Sequence, residues 1–372
     1  MWGAMYLLKP MLGLVLILSL FFFITMPYAV ENNAVKDVLK SPALRFEKAV
    51  QPVIIDTTKA GNRLVAVGER GILLVSDDNG KKWRQIIVPV SVTLTAVHFV
   101  NPDLGWVVGH SGIVLATRDA GENWSVQLNG FEAAEIEFKA AQAALSNNKN
   151  SEDARFRLKN AERCLAEGAD KPFLALHFMD ENQGIVVGAF GFAFKTNDGG
   201  ETWESAMGEI DNPMAAHLYA VDYHQYQWII AGEMGFLARS SDERKIFERI
   251  ESPYDGTYFT ARFNGSGSIY VGGLEGNAFV STNDGMNFKR ISIPGGSSFN
   301  DLVLLIDGRV LMANQAGRLF LESANNTGEF VMLDDSPKSS IISIEEAVDG
   351  TLITTGFSGI KSLKPSSGAS ED

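Results

Sequence analysis

Most of the chain is built from short runs of alternating apolar and polar residues separated by Gly, Asp, Asn and Ser, the pattern of short β-strands joined by turns. It is plainest at Val186–Trp203, VVGAFGFAFKTNDGGETW. An apolar run ends in Gly188, two residues follow, and Gly191 restarts an alternating run. A Thr196-x-Asp198-x-Gly200-x-x-Trp203 box then closes it. This spells two strands around a tight turn, then a second turn leading to a third strand.

The first turn recurs as Gly68/Gly71, Gly109/Gly112, Gly188/Gly191, Gly232/Gly235, Gly273/Gly276, Asn314/Gly317 and Gly356/Gly359. Its period is roughly 40 to 45 residues, with one interval lengthened by an insertion, which predicts an all-β, seven-bladed β-propeller. The box recurs in register. Ser76/Asp78/Gly80/Trp83 and Thr117/Asp119/Gly121/Trp124 are full copies, like Thr196/Asp198/Gly200/Trp203. Ser281/Asn283/Gly285/Phe288 substitutes Asn and Phe, Ser240/Asp242/Arg244/Phe247 has Arg for Gly, and Ser323/Asn325/Thr327/Phe330 is displaced by one residue. A carboxylate here accepts bonds from its own turn, Gly permits a positive φ, and Trp gives the outer strand an apolar face. The expected role of Asp78, Asp119, Asp198, Asp242 and Asn283, with Trp83, Trp124 and Trp203, is therefore structural. A catalytic site would not need six diluted copies.

These boxes are the Asp-box, or BNR repeat, of sialidase-type propellers. The compound pattern V-G-x-x-G-x-hydrophobic-x-x-T-x-D-G-G-x-T-W, best matched by Val187–Trp203, resembles the photosystem II stability and assembly factors. The resemblance extends over about Ser41–Leu363. It implies a cofactor-free scaffold that holds a membrane-protein subunit during assembly, working from the lumenal or periplasmic side. It also implies a basic patch that meets the partner, in part through an Arg just before the Ser or Thr of the box. Lys195 and Arg239 occupy that place here, whereas Val75, Ala116 and Val280 do not.

Residues 1–29 carry one charge, Lys9, and an apolar run from Met11 to Met26, the layout of a secretory signal or an uncleaved membrane anchor. An exported protein is expected, in the periplasm or on the thylakoid lumen side. The chain has 372 residues and a formal net charge of −13, which argues against nucleic acid as a partner. Cys164 is the single cysteine, so there is no disulfide framework and no thiolate metal site. A monomer is expected.

Ring closure must then stabilise the fold. The last repeat supplies only three strands, and Ala43–Lys48 is an orphan strand-like segment, so Ala43–Lys48 is expected to complete blade seven. The propeller is expected over residues 41–364, followed by a disordered tail at 365–372. Innermost strands border the channel, and Asp56, His98, His177, Asp222, Arg262, Leu304 and Glu345 fall near one equivalent position in them. They predict a polar ring, meeting either channel water or a partner; His98 and His177 lack ligand spacing, and no metal is expected.

The insertion, residues 131–171 between blades two and three, predicts a helical hairpin standing off the propeller. Phe131–Leu145 has helical spacing, Ser146–Asn150 is a linker, Ser151 caps a second helix, and Gly168 with Pro172 stops it. It either covers the channel mouth or blades, or grips a partner. A sialidase-like hydrolase would need an Arg cluster and a Tyr nucleophile with a Glu; Tyr219, Tyr223 and Tyr226 lie near Glu233, but only Arg262 has a suitable inner-strand place. The expected function is an exported, non-catalytic propeller that assists assembly of a membrane complex. The alternatives are an accessory protein of an RND-type envelope transporter and a glycoside hydrolase.

Overall fold

The computed structural model describes residues 37–46, 52–241, 246–324 and 327–364. The N-terminal apolar run, Glu47 and Lys48, Asp242 and Arg244 of the fourth box, Asn325 and the 365–372 tail lie outside the described residues.

Among the described residues, seven antiparallel sheets form in chain order, six of four strands and one of three. Their innermost strands are Ile54–Ala60, Leu94–Phe99, Phe173–Phe178, Leu218–His224, Tyr258–Phe263, Phe299–Leu304 and Ser343–Glu346. The sheets are the seven blades of the expected propeller.

The two glycines of the repeated turn do different work. A Cβ on the first would lie 2.1 Å from the Val53 carbonyl oxygen at Gly68, and 2.2 Å from that of Pro172 at Gly188. It must be bare because the entering chain crosses it. The second has a left-handed φ, 76° at Gly71 and 70° at Gly191, following a non-glycine residue already in that region, Arg70 at 53° and Phe190 at 57°.

The second strands are buried along nearly their whole length because both faces of each blade meet a neighbour. Core clusters therefore lie between blades: Val65 and Val75 of blade one pack with Val107 and Trp124 of blade two. Trp106 of blade two stacks on Phe178 of blade three, centroids 3.5 Å apart and 5° from parallel.

Closure differs from the expectation for Ala43–Lys48. The seventh sheet is the three-stranded one, and no described residue of that segment pairs with it. Instead Ala43 N–H donates to the Val88 carbonyl (3.0 Å), Phe46 N–H to Gln85 Oε1 (2.9 Å), and Gln85 Nε2 to the Leu44 carbonyl (2.8 Å). Apolar burial explains the choice: Ala43 is buried beside Gly71, and Phe46 packs on the cluster of Ile54, Ala66 and Leu74 in blade one. Blade seven meets blade one directly, Leu64 packing with Ala347 and Ile353.

The hairpin consists of α1 (Gly130–Asn147) and α2 (Glu152–Glu167), between blades two and three. Asn129 and Glu132 form a reciprocal capping box on α1, Ser151 caps α2, and Gly168, at φ 79°, ends it. It does not stand off the propeller. Ala133 and Cys164 enter the core shared by blades two and three. Arg157 of α2 donates to both carboxylate oxygens of buried Glu137 in α1, each at 2.8 Å, and Glu137 also accepts from Ser205 on the outer strand of blade three.

Candidate functional site

The innermost strands enclose a cavity of about 500 Å³ along the channel. Each leaves backbone N–H and C=O groups facing a neighbour with which it does not form a ladder. Polar side chains fill that need. Asp56 of blade one accepts from Val97 N–H of blade two (2.8 Å). His98 of blade two bonds through Nε2 to the Phe178 carbonyl of blade three (3.0 Å). His177 of blade three places Nδ1 3.1 Å from Asp222 Oδ1 of blade four. Asp222 accepts from Phe263 N–H of blade five (2.8 Å). Arg262 of blade five reaches back to Asp222 and forward to the Leu302 carbonyl of blade six, each at 3.3 Å. Asp301 of blade six accepts from Ile344 N–H of blade seven (2.9 Å). Glu345 of blade seven pairs with Lys59 of blade one (3.0 Å). All seven junctions are bridged, making a polar girdle.

Six of the seven positions read from the sequence take part. Leu304 does not: it lies half-exposed at its strand's end, and blade six uses Asp301. Asp301 follows a register break at Phe299, as Asp56 follows one at Ile54. His98, His177, Asp222 and Arg262 instead stand four residues after the first residue of their strands, further along the same face, so a position carried over from those blades passes Asp301 by. The signal that could have found it was Asp56, which has the same early place in blade one.

Burial sets the charges. Asp56, desolvated and facing Asp301, has its carboxyl pushed up to about 7. Burial likewise raises Asp301 and Glu345, partly opposed by Arg262 and by Lys59 respectively. Burial would raise Asp222 too, but His177 and Arg262 overcome it and hold it at about 2. Desolvation, then His177 and Arg262, lowers His98 to about 3, so its ring is neutral. Among the described residues, no group of three or more His, Cys, Asp or Glu has a metal-binding arrangement.

At the rim, each full box repeats one geometry. Asp78 Oδ1 accepts from Ser76 Oγ (3.0 Å) and Lys82 N–H (2.8 Å), while Gly80 N–H donates to Ser76 Oγ (3.0 Å). Asp119 and Asp198 do the same with their Thr hydroxyls, and Asn283 keeps it with an amide oxygen. Trp83 and Trp124 donate to the carbonyls of Gly80 and Gly121. Trp203 does not; its Nε1 is buried without a partner. The two basic candidates beside boxes are engaged: Lys195 pairs with Glu209, and Arg239 donates to the Asp284 carbonyl.

The family model described as photosynthesis system II assembly factor YCF48 matches residues 75–150 and 162–255, just under half of the chain. A photosystem II assembly protein Ycf48 of Synechococcus is 28% identical over 147 residues, 36% of this chain and 42% of that one. The chloroplastic photosystem II stability/assembly factor HCF136 of Cyanidioschyzon merolae is 37% identical over 70 residues, 17% of this chain and 16% of that one. The aligned stretches thus span less than half the length of these relatives. Among solved structures, YCF48 bound to D1 peptide aligns with TM-score 0.61 and 16% identity, covering 86% of this chain and 97% of that one. YCF48 from Cyanidioschyzon merolae aligns with TM-score 0.60, the same identity and the same coverage. At that identity the structural likeness is one of fold. The resemblance to the photosystem II assembly factors rests on the sequence matches.

Proposed function

We propose, from this resemblance to the photosystem II assembly factors, that the chain is a non-catalytic scaffold that holds a subunit of a membrane protein complex during assembly. The repeat matched over residues 75–150 and 162–255 carries the reading. A structurally similar protein bound to a D1 peptide supports the idea that such a propeller holds a segment of a membrane protein. The channel supports it as well, because its acids, histidines and Arg262 are tied up in bonds between blades. Export, with or without retention of the apolar Met11–Met26 run as an anchor, belongs to the same proposal.

The test is cross-linking in the source cell followed by mass spectrometry of what is captured. Enrichment of a membrane-complex subunit over a mock sample supports the reading. Capture of an envelope transporter would move the function there, and turnover of glycosides by the purified protein would overturn it. Deleting the hairpin is a poor control, since Ala133 and Cys164 belong to the core.

A further inference from the structure

The hairpin and blades three and four enclose a cleft of about 640 Å³. Its floor is apolar, with Ala161, Cys164, Ile210 and Phe247 buried. Phe156 of α2, Ile246 of blade four and Phe190 at the turn of blade three line it with 56%, 57% and 44% of their surface exposed. Other large apolar side chains are exposed elsewhere, Tyr226 and Phe357 among them, but these three surround one depression with a buried apolar floor.

The charge around the cleft is acidic in excess. Arg157 is paired with Glu137 and Arg163 lies 3.9 Å from Glu167, while Arg249 rests over the Phe236 ring at 5.5 Å and keeps its charge. Asp153, Asp211 and Glu248 are exposed on its walls and have no ion-pair partner among the described residues.

From Phe190 an aromatic strip leaves the cleft. Its ring meets His217 at 4.7 Å, His217 meets Tyr219 at 6.3 Å, and Tyr219 meets Phe259 at 5.4 Å. Tyr219 and Phe259 line the channel mouth. Roughly five residues of extended chain cover those ring-to-ring steps at about 3.3 Å each. The buried Lys171 ammonium sits 5.3 Å from the centre of the Phe190 ring and holds it in place.

We propose that the cleft and the aromatic strip together form a docking groove for an extended, basic segment of a partner protein, with an apolar anchor in the cleft and Lys or Arg side chains over the rings. Charge complementarity selects that occupant, because acids without partners wall the cleft and aromatic faces attract cations. The inference rests on the scaffold reading and names the surface that scaffold would use.

The test is fluorescence anisotropy with a labelled twelve-residue peptide of Leu, Phe, Lys and Arg, and a counterpart with Glu at every basic position. The basic peptide is expected to bind at least about tenfold more tightly. Phe156→Ser and Phe190→Ser are each expected to weaken it by about fivefold or more. Phe190→Ser should fold, because Ser111 occupies the same turn position in blade two at φ 58°. Val331→Ser, on the outer strand of blade six, should change nothing. Equal binding of both peptides, undiminished binding by both cleft variants, or a self-association abolished by the cleft substitutions would each overturn the proposal. In cells, a subunit cross-linked equally to wild type and to the Phe156/Phe190 double variant overturns the groove and leaves the scaffold function standing. Peptide discrimination in vitro with no membrane subunit captured does the reverse.

Discussion

Ser343, on the innermost strand of the last blade, donates from Oγ to Asp56 Oδ1, on the innermost strand of the first, at 2.9 Å and across 287 residues. Asp56 also accepts from Thr57 and Val97 N–H, so one carboxylate joins blades seven, one and two. It lies at the junction where no fourth strand completes the last sheet among the described residues.

Asp56 makes stability depend on pH. Its pKa rises from 3.8 to about 7 on folding, so between those values the folded state keeps a proton that the unfolded state releases. Its contribution therefore declines as pH rises from about 4 to 7. Asp301 and Glu345 act in the same direction. Asp222 and the box carboxylates, which are lowered, act only as pH falls below about 4. Asp56→Asn is expected to gain on wild type by about 2 kcal/mol in unfolding free energy between pH 5 and pH 8. Denaturant melts at the two pH values check this; parallel behaviour would remove Asp56 from the account.

The box tryptophans should differ although the sequence makes them equivalent. Trp124 Nε1 donates to the Gly121 carbonyl at 3.0 Å, whereas Trp203 Nε1 has no partner. Gln127 and Trp106 of blade two donate to the Gly199 carbonyl of the same turn. Trp124→Phe is expected to cost about 1 kcal/mol more than Trp203→Phe in urea unfolding. Equal costs would mean that the indole bond contributes nothing.

The Glu137–Arg157 pair fixes the hairpin. Glu137 has 1% of its side chain exposed and Arg157 22%, so removing the arginine strands a buried carboxylate. Arg157→Ala should cost roughly 3 kcal/mol, and Glu137→Leu combined with Arg157→Met should recover most of it. Additive losses in the double-mutant cycle would show the two side chains acting independently.

Two glycines separate backbone from packing. Gly308, at φ 85°, has open space where a Cβ would go, so Gly308→Ala should cost about 1 kcal/mol through φ alone. Gly80, at φ 79°, would put its Cβ 2.5 Å from Ile353 Cδ1 of blade seven, and its carbonyl accepts from Ser362 Oγ. Gly80→Ala is expected to cost about 2 kcal/mol more. A thermal-melt comparison decides it; equal shifts would mean that Ile353 yields freely.

Much was legible because the turns are local. A glycine bare enough to pass Val53 or Pro172, and a carboxylate that accepts from its own turn, need only nearby residues, so their spacing marked the strands and counted the blades. His98, His177, Asp222 and Arg262 followed because alternation carries an equivalent position from blade to blade. Asp301 was missed because it stands two residues after the first residue of its strand, where His98, His177, Asp222 and Arg262 stand four, and which place is used depends on the group of the next blade that must be reached.

The sequence by itself thus determined the repeat, the number of blades, the site of the insertion and most of the polar ring, all of which depend on residues within one period. The tertiary structure alone decided that Ala43 and Phe46 lie along blade one, that α2 faces blade four across an apolar cleft, and that Asp56 meets Ser343. Those contacts join residues far apart along the chain, and their partners are chosen by which apolar surface is left uncovered and which buried charges can be satisfied once the ring has closed.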